Sequence, residues 1–282
     1  MTTIATRDAP PEVAPAPAVP GRRRRWTRLI LPVYTWVMIL YFSLPIMVMI
    51  AFGFNDTKGR LNLRWQGFTL NWYRNLFDNP GLTAALRNSL AIAAISTVIT
   101  TVLGTMVGIA LGRYRFRGKN LYDLVIFSAI SAPELVLGAS LLSLFITVQF
   151  ARGFVTIVIA HVVFSLAFVA VTVRARVLGL DPTLEEAAQD LGADPWTTFR
   201  KITLPLLAPG IVAGALLAFA LSIDDYVVTS FVSGQLETFP LWVFGATRVG
   251  VPPQVNVMGT LIFLGGVGIA VTNAVLARRQ RG

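Results

Sequence analysis

Apolar residues in this chain gather into long unbroken runs separated by short polar segments, instead of being spaced along amphipathic faces. A helix needs about 20 such residues to cross the hydrocarbon core of a bilayer. By that length rule six spans are predicted, near Leu29–Phe54, Asn88–Gly112, Tyr122–Phe150, Gly153–Val173, Leu206–Val232 and Val255–Ala277. Pro32 and Pro45 should bend the first, Pro133-Glu134 interrupts the third, and the fifth carries Asp224-Asp225. The fold class is an all-α integral membrane protein with six transmembrane helices. Gly104, Gly108 and Gly112 in the second span, and Gly210 and Gly214 in the fifth, recur every four residues. Small-residue strips of this kind let helices approach closely in lipid.

The flanks add topology. Residues 1–21 hold Pro10, Pro11, Pro15, Pro17 and Pro20 among Ala and Val, the composition of a disordered tail, and Arg22–Arg25 and Arg28 follow. The next apolar run is far longer than the core of a signal peptide, and its exit, FGFNDTKG, offers no small-residue cleavage site, so it is an uncleaved first span. This divides the chain into a cytoplasmic tail over 1–28, a transmembrane domain over 29–277 and a short terminal tail over 278–282. Six spans put both ends on one side. With the N-terminus inside, the cytoplasmic segments receive the arginines at 22–28, Arg113, Arg115, Arg117, Lys119, Arg174, Arg176, Arg200, Lys201, Arg278, Arg279 and Arg281. The outside keeps Lys58, Arg60, Arg64, Arg74, Arg87, Arg152 and Arg248, an asymmetry that predicts N-in, C-in. In the first external loop Trp72, Tyr73, Leu76 and Phe77 would share one helical face, as in an interfacial helix anchored in lipid or touching an external partner.

Composition then removes whole classes of function. A mean hydropathy of +0.66 is too high for a soluble domain. The absence of cysteine rules out disulfides and thiolate chemistry, and a single histidine leaves no His-rich metal cluster. The net charge of +10 lies between spans, where it sets topology instead of binding nucleic acid. No phosphate-binding loop is present: the nearest candidate, Arg117-Gly118-Lys119-Asn120, lacks the hydroxyl residue after Lys, and position 113 is Arg where the first glycine belongs. A membrane enzyme is remote, because no nucleophile–base pair is visible.

The longest polar run of the second half is Asp181–Pro205, DPTLEEAAQDLGADPWTTFRKITLP. Asp181 and Pro182 are a helix-start signal, Glu185 and Glu186 suit the positive end of the helix dipole, and Gly192 can take the left-handed turn that ends it. Asp194 and Pro195 repeat the start, and Pro205 is expected to stop the second helix. Such a polar hairpin between two apolar spans reads as a docking element. Its spacing, Glu186-Ala187-Ala188, then Gly192, then Ile202 and Leu204-Pro205, resembles the EAA loop of ATP-binding-cassette import permeases.

Carboxylates inside spans carry the other signal, since each costs roughly 2.5–3.5 kcal/mol to insert near mid-bilayer. Asp224 and Asp225 are expected about 100° apart around the fifth helix. Glu134 sits beside Pro133, where a broken helix opens backbone groups to a cavity. Acids lining a pathway favour a cationic passenger, with cation–π help from Tyr226 or Trp242. The alternative for Asp224 and Asp225 is a structural ion pair, with Arg248 or with a partner subunit. Asp123 is expected to be solvated, and His161 to be a hydrogen-bonded core histidine.

The segments ALRNSLAIA, APELVLGASLLSLF and LSIDDYVVTSFVSG…TFPLWVFGATRVGVPPQVNVMGT are similar to the second permease subunit of spermidine/putrescine importers, a resemblance running from about residue 29 to 277. It implies a type I importer: two permeases, a pair of ATPase subunits holding ATP and Mg, and an external polyamine-binding protein, in a bacterial cytoplasmic membrane. No cofactor is implied in this chain. The resemblance also implies that Glu186 pairs with an Arg of the ATPase, that Gly192 supplies the turn, and that Asp224 and Asp225 act in amine passage. Rival readings are an importer of the same type for another cationic or small organic solute, and an ion-coupled secondary transporter.

Overall fold

A computed structural model describes residues 24–59 and 62–279. The tail expected over residues 1–21 and the last three residues lie outside them. The chain divides into two compact units at Val48 and Met49. The first unit's described part lies wholly in one helix, α1 (Arg24–Phe52), which starts five residues before the expected span and is helical through both Pro32 and Pro45.

The second unit holds α2 (Asn71–Arg74), α3 (Pro80–Arg113), α4 (Lys119–Ser131), α5 (Glu134–Thr147), α6 (Phe154–Leu178), α7 (Thr183–Asp190), α8 (Pro195–Thr198), α9 (Leu204–Ile223), α10 (Val227–Val232), α11 (Phe239–Ala246) and α12 (Pro253–Arg279). Among the described residues the only β pairing is an isolated bridge between Asn55 and Phe68. Within the described residues five helices are long and apolar enough to cross a membrane, and six if the bent pair α4–α5 counts as one.

α3, α6 and α9 pack on one another and form the centre of this unit. The glycine strips are the reason they can. A Cβ at Gly104 would lie 2.7 Å from Val169, and one at Gly108 would lie 2.8 Å from the carbonyl oxygen of Ala170. From the other side a Cβ at Gly210 would strike Arg176 at 2.7 Å. Lipid offers no hydrophobic drive between helices, so such close backbone approach is what holds them. Around this centre α5 and α10 close a second cluster, with Leu141, Phe145, Ile157, Val228 and Val232 buried together.

Four expectations change. The third span is no single rod: α4 and α5 meet at 105°. Pro133 has no N–H to donate and pushes Ala132 into extended backbone (φ −67°, ψ 132°), which ends α4 there. The fifth span ends at Ile223, and α10 is a separate short helix. The interfacial helix shrinks to the single turn of α2. Trp72 donates its Nε1–H to the carbonyl of Asn55 at 2.8 Å, and Leu76 is buried with Leu82, Val257 and Met258 while Phe77 stays exposed. Finally, Asp123 is not simply solvated, because Arg174 bonds it with both terminal nitrogens.

Candidate functional site

The break after α9 is the first of two sites. Asp224 is the C-cap of α9, and Asp225 begins the approach to α10. The two acids therefore do not sit around one helix. The Asp225 carboxylate receives the N–H of Val228 at 3.2 Å, the N–H of Thr229 at 2.7 Å and the hydroxyl of Thr229 at 2.6 Å. That is N-terminal capping from inside the protein, with negative charge at the positive end of the α10 dipole. Asp225 is only 8% exposed. The alternative of an ion pair with Arg248 is not what forms: Arg248 lies over the ring of Phe244, and the partner of Asp225 is His161, whose Nε2 is 3.3 Å from it.

His161 is buried as expected, yet it has polar company. Nδ1 is 2.6 Å from the Ser222 hydroxyl, Nε2 is 2.9 Å from that of Thr229, and Ser222 in turn meets Ser96 at 3.2 Å. A neutral imidazole with its proton on Nε2 satisfies every one of these: it donates to Thr229 and Asp225 and accepts from Ser222. The network joins α3, α6, α9 and α10 at one level. Buried polar groups left unpaired are costly, so the set holds the break in a single geometry.

Asp224 differs completely. It is exposed, at the carbonyl end of α9, where the helix dipole is itself negative. Glu134, the first residue of α5, is exposed and close enough for its charge to act on Asp224. Asp224 and Tyr226 line one cavity of about 420 Å³ with Phe239, Val243 and Phe244, and Tyr226 packs on Phe244 with ring centres 4.5 Å apart. Trp242 is not there. It turns to Gly81 and lines another recess, of about 640 Å³, with Trp72, Asn79 and Glu237. Asp224 also borders a larger apolar cavity of about 780 Å³ between α3, α9 and α12.

The second site is the hairpin Asp181–Pro205. Asp181 accepts the N–H and hydroxyl of Thr183, and Asp194 accepts the N–H groups of Trp196 and Thr197 and the Thr197 hydroxyl. These bonds, backbone first at Asp181 and side-chain first at Asp194, hold both carboxyls below the usual carboxylate range. Gly192 adopts φ +85°, the left-handed turn anticipated for it. Glu186 and Ala187 are exposed, Ala188 and Ile202 half-buried, and Leu204 and Pro205 exposed. Leu184, Leu191 and Trp196 also face outward, Leu191 at 90% exposure.

Pro205 does not stop the second helix. A π turn, Phe199–Thr203, carries α8 into α9, with the N–H of Leu204 bonded to the carbonyl of Phe199. In an unbroken α-helix the Pro205 ring would strike the carbonyl of Lys201, and one inserted residue relieves that clash. Sequence reasoning also missed Glu185, which is buried and paired with Arg113 while Glu186 is free. Hydroxyls at 96, 222 and 229 within apolar runs were the available signal for the His161 network.

Three packed spans, a span broken at an acid, and an outward-facing helical hairpin define a membrane permease of the ABC importer fold. A chain of a bacterial ABC transporter involved in the import of the acidic polysaccharide alginate matches with a TM-score of 0.64 at 18% identity, over 93% of this chain and 99% of that one. A chain of the inward-facing MetNI methionine ABC transporter matches at 0.55 and 18%, over 75% and 99%. The chain belongs to the family described as binding-protein-dependent transport system inner membrane component, which matches residues 104–281. It is 40% identical to the spermidine/putrescine transport system permease protein PotC of Haemophilus influenzae, over 88% of this chain and 96% of that protein. It is 41% identical to the putrescine transport system permease protein PotI of Escherichia coli, over 83% and 86%. It is thus a multi-pass inner-membrane component of a transport system.

Proposed function

We propose that this chain is one of two permeases of an ATP-driven polyamine importer. Support for the cargo comes from relatives named for spermidine and putrescine transport at about two-fifths identity. The observation that carries the reading is the break after α9. There a free carboxylate, Asp224, stands at the negative end of a helix, with Glu134 in range and Tyr226 beside it. Broken helices whose carbonyl ends face a pathway suit cations, and a polyamine is a flexible chain of ammonium groups. Asp225 serves the architecture of the passage, and Trp242 belongs to a separate recess.

The hairpin Asp181–Pro205 is the coupling element. Its outward Glu186, Leu184, Leu191 and Trp196 offer one acid and an apolar surface to an ATPase cleft. ATP and Mg belong to that ATPase pair; this chain contributes the pathway, a second permease completes it, and an extracytoplasmic binding protein delivers the amine. The positive-inside asymmetry puts residues 1–28, the hairpin and residues 278–282 in the cytoplasm, with 29–277 as the membrane domain. ATP binding would draw the ATPases together, move the hairpin and reorient the spans.

The test is mass spectrometry of what co-purifies with the tagged chain in mild detergent. A P-loop ATPase and a second permease are expected. Recovery of this chain alone, still moving cations in liposomes, would overturn the importer reading in favour of a secondary transporter.

A further inference from the structure

Of the five acids between Asp181 and Asp194, Glu185 alone is buried. Its carboxylate is held from two other elements. Arg113, the last residue of α3, pairs with both oxygens through its two terminal nitrogens. Thr203, the last residue of the π turn, donates its hydroxyl at 2.7 Å. All three line a recess of about 240 Å³ with Gly112, Val177 and Leu207. Beside them α3 is seated tightly on α6, since a Cβ at Gly112 would lie 2.7 Å from Val177. α7 itself packs on α8 and on the π turn, so the ion pair is its polar tie to α3.

We propose that Glu185 is a positioning residue for energy coupling: with Arg113 and Thr203 it clamps α7 to the ends of α3 and α9. This rests on the reading of Asp181–Pro205 as the coupling element. A two-pronged guanidinium–carboxylate pair fixes direction as well as distance. A displacement of α7 is therefore delivered to α3 and α9 together instead of being lost as sliding. Those same two helices carry Ser96 and Ser222, the hydroxyls that reach His161 and through it Asp225. The clamp thus connects the hairpin to the break after α9 through two rigid helices, a contiguous route of the kind that carries coupling between distant sites.

The experiment reconstitutes the whole assembly, with its ATPases, second permease and binding protein, in proteoliposomes. Spermidine uptake and ATP hydrolysis are measured on the same vesicles and expressed as amine moved per ATP. Glu185→Gln and Arg113→Gln should each lower that ratio at least about fivefold, the low end of a typical coupling free energy. Thr203→Val should lower it less, and the exchange Arg113→Glu with Glu185→Arg should recover most of it. An unchanged ratio, even with both rates reduced in proportion, would overturn the clamp, as would an exchange no better than the single variants. If the single variants fail to assemble, Thr203→Val, which removes a hydrogen bond and no charge, decides by the same ratio. A native assembly that binds no ATPase would overturn the coupling reading itself; native coupling with unchanged variants overturns the clamp alone.

Discussion

Two places in this chain carry adjacent acids, Asp224-Asp225 and Glu185-Glu186, and both are divided in the same way. One acid is buried and fully bonded, by His161 and Thr229 at Asp225 and by Arg113 and Thr203 at Glu185. Its neighbour is exposed. The difference lies in what each pinned acid joins. Asp225 caps the next helix of its own chain segment and meets a neutral His161 on α6, whereas Glu185 reaches back to a guanidinium at the end of α3. The pinned acid shapes the site, and under the proposed function the free acid is the one left for the partner or the passenger. A tandem acid is thus a division of labour between structure and contact.

The comparison can be broken by exchanging the roles. The largest effect is expected from Asp225→Ala. It leaves the buried N–H groups of Val228 and Thr229 and the Thr229 hydroxyl without their acceptor, at about 1–3 kcal/mol each, enough to lower the yield and melting temperature of the detergent-purified complex sharply. Asp225→Asn should cost less, because its amide oxygen still accepts from α10. Glu186→Lys comes next, with normal membrane insertion and melting behaviour but ATPase capture weakened at least about tenfold, or about 1.4 kcal/mol, in quantitative pull-downs. Retained capture and uptake would reduce Glu186 to a surface residue.

The smallest effect concerns the hairpin's own caps. Asp181 and Asp194 have carboxyls held below their ordinary value by Thr183 and Thr197. A group depressed on folding stabilises the fold above its unfolded pKa and loses that contribution as pH falls through the folded value. Neutral pH therefore leaves both caps intact, and only acid below about pH 4 should loosen them. Because both are fully exposed, the change should be slight. It should be seen as faster hydrogen exchange, after correction for the intrinsic rate, at Thr183, Trp196 and Thr197, with α3 unchanged.

Much of this was legible from residue pattern. Length and hydropathy placed most of the spans, four-residue glycine spacing located the helix contacts, and Gly192 and Asp194 announced their turn and cap. What escaped was set by partners distant in sequence. Nothing local distinguishes Glu185 from Glu186, since Arg113 lies 72 residues away. Nothing local says that Asp225 will cap α10 instead of continuing α9, and its further partner, His161, lies on α6. Pro205 looked like a stop because a π turn leaves no mark in composition.

The central claim is that Asp224 faces the passenger while Asp225 holds the passage. It is tested most directly by Asp224→Asn in the reconstituted transporter, with spermidine uptake and melting temperature measured on the same preparation. A charge-assisted contact worth about 1.5–3 kcal/mol predicts an uptake loss of about tenfold or more with the melting temperature unchanged. Unchanged uptake, or a loss that only follows a fall in melting temperature, would contradict it.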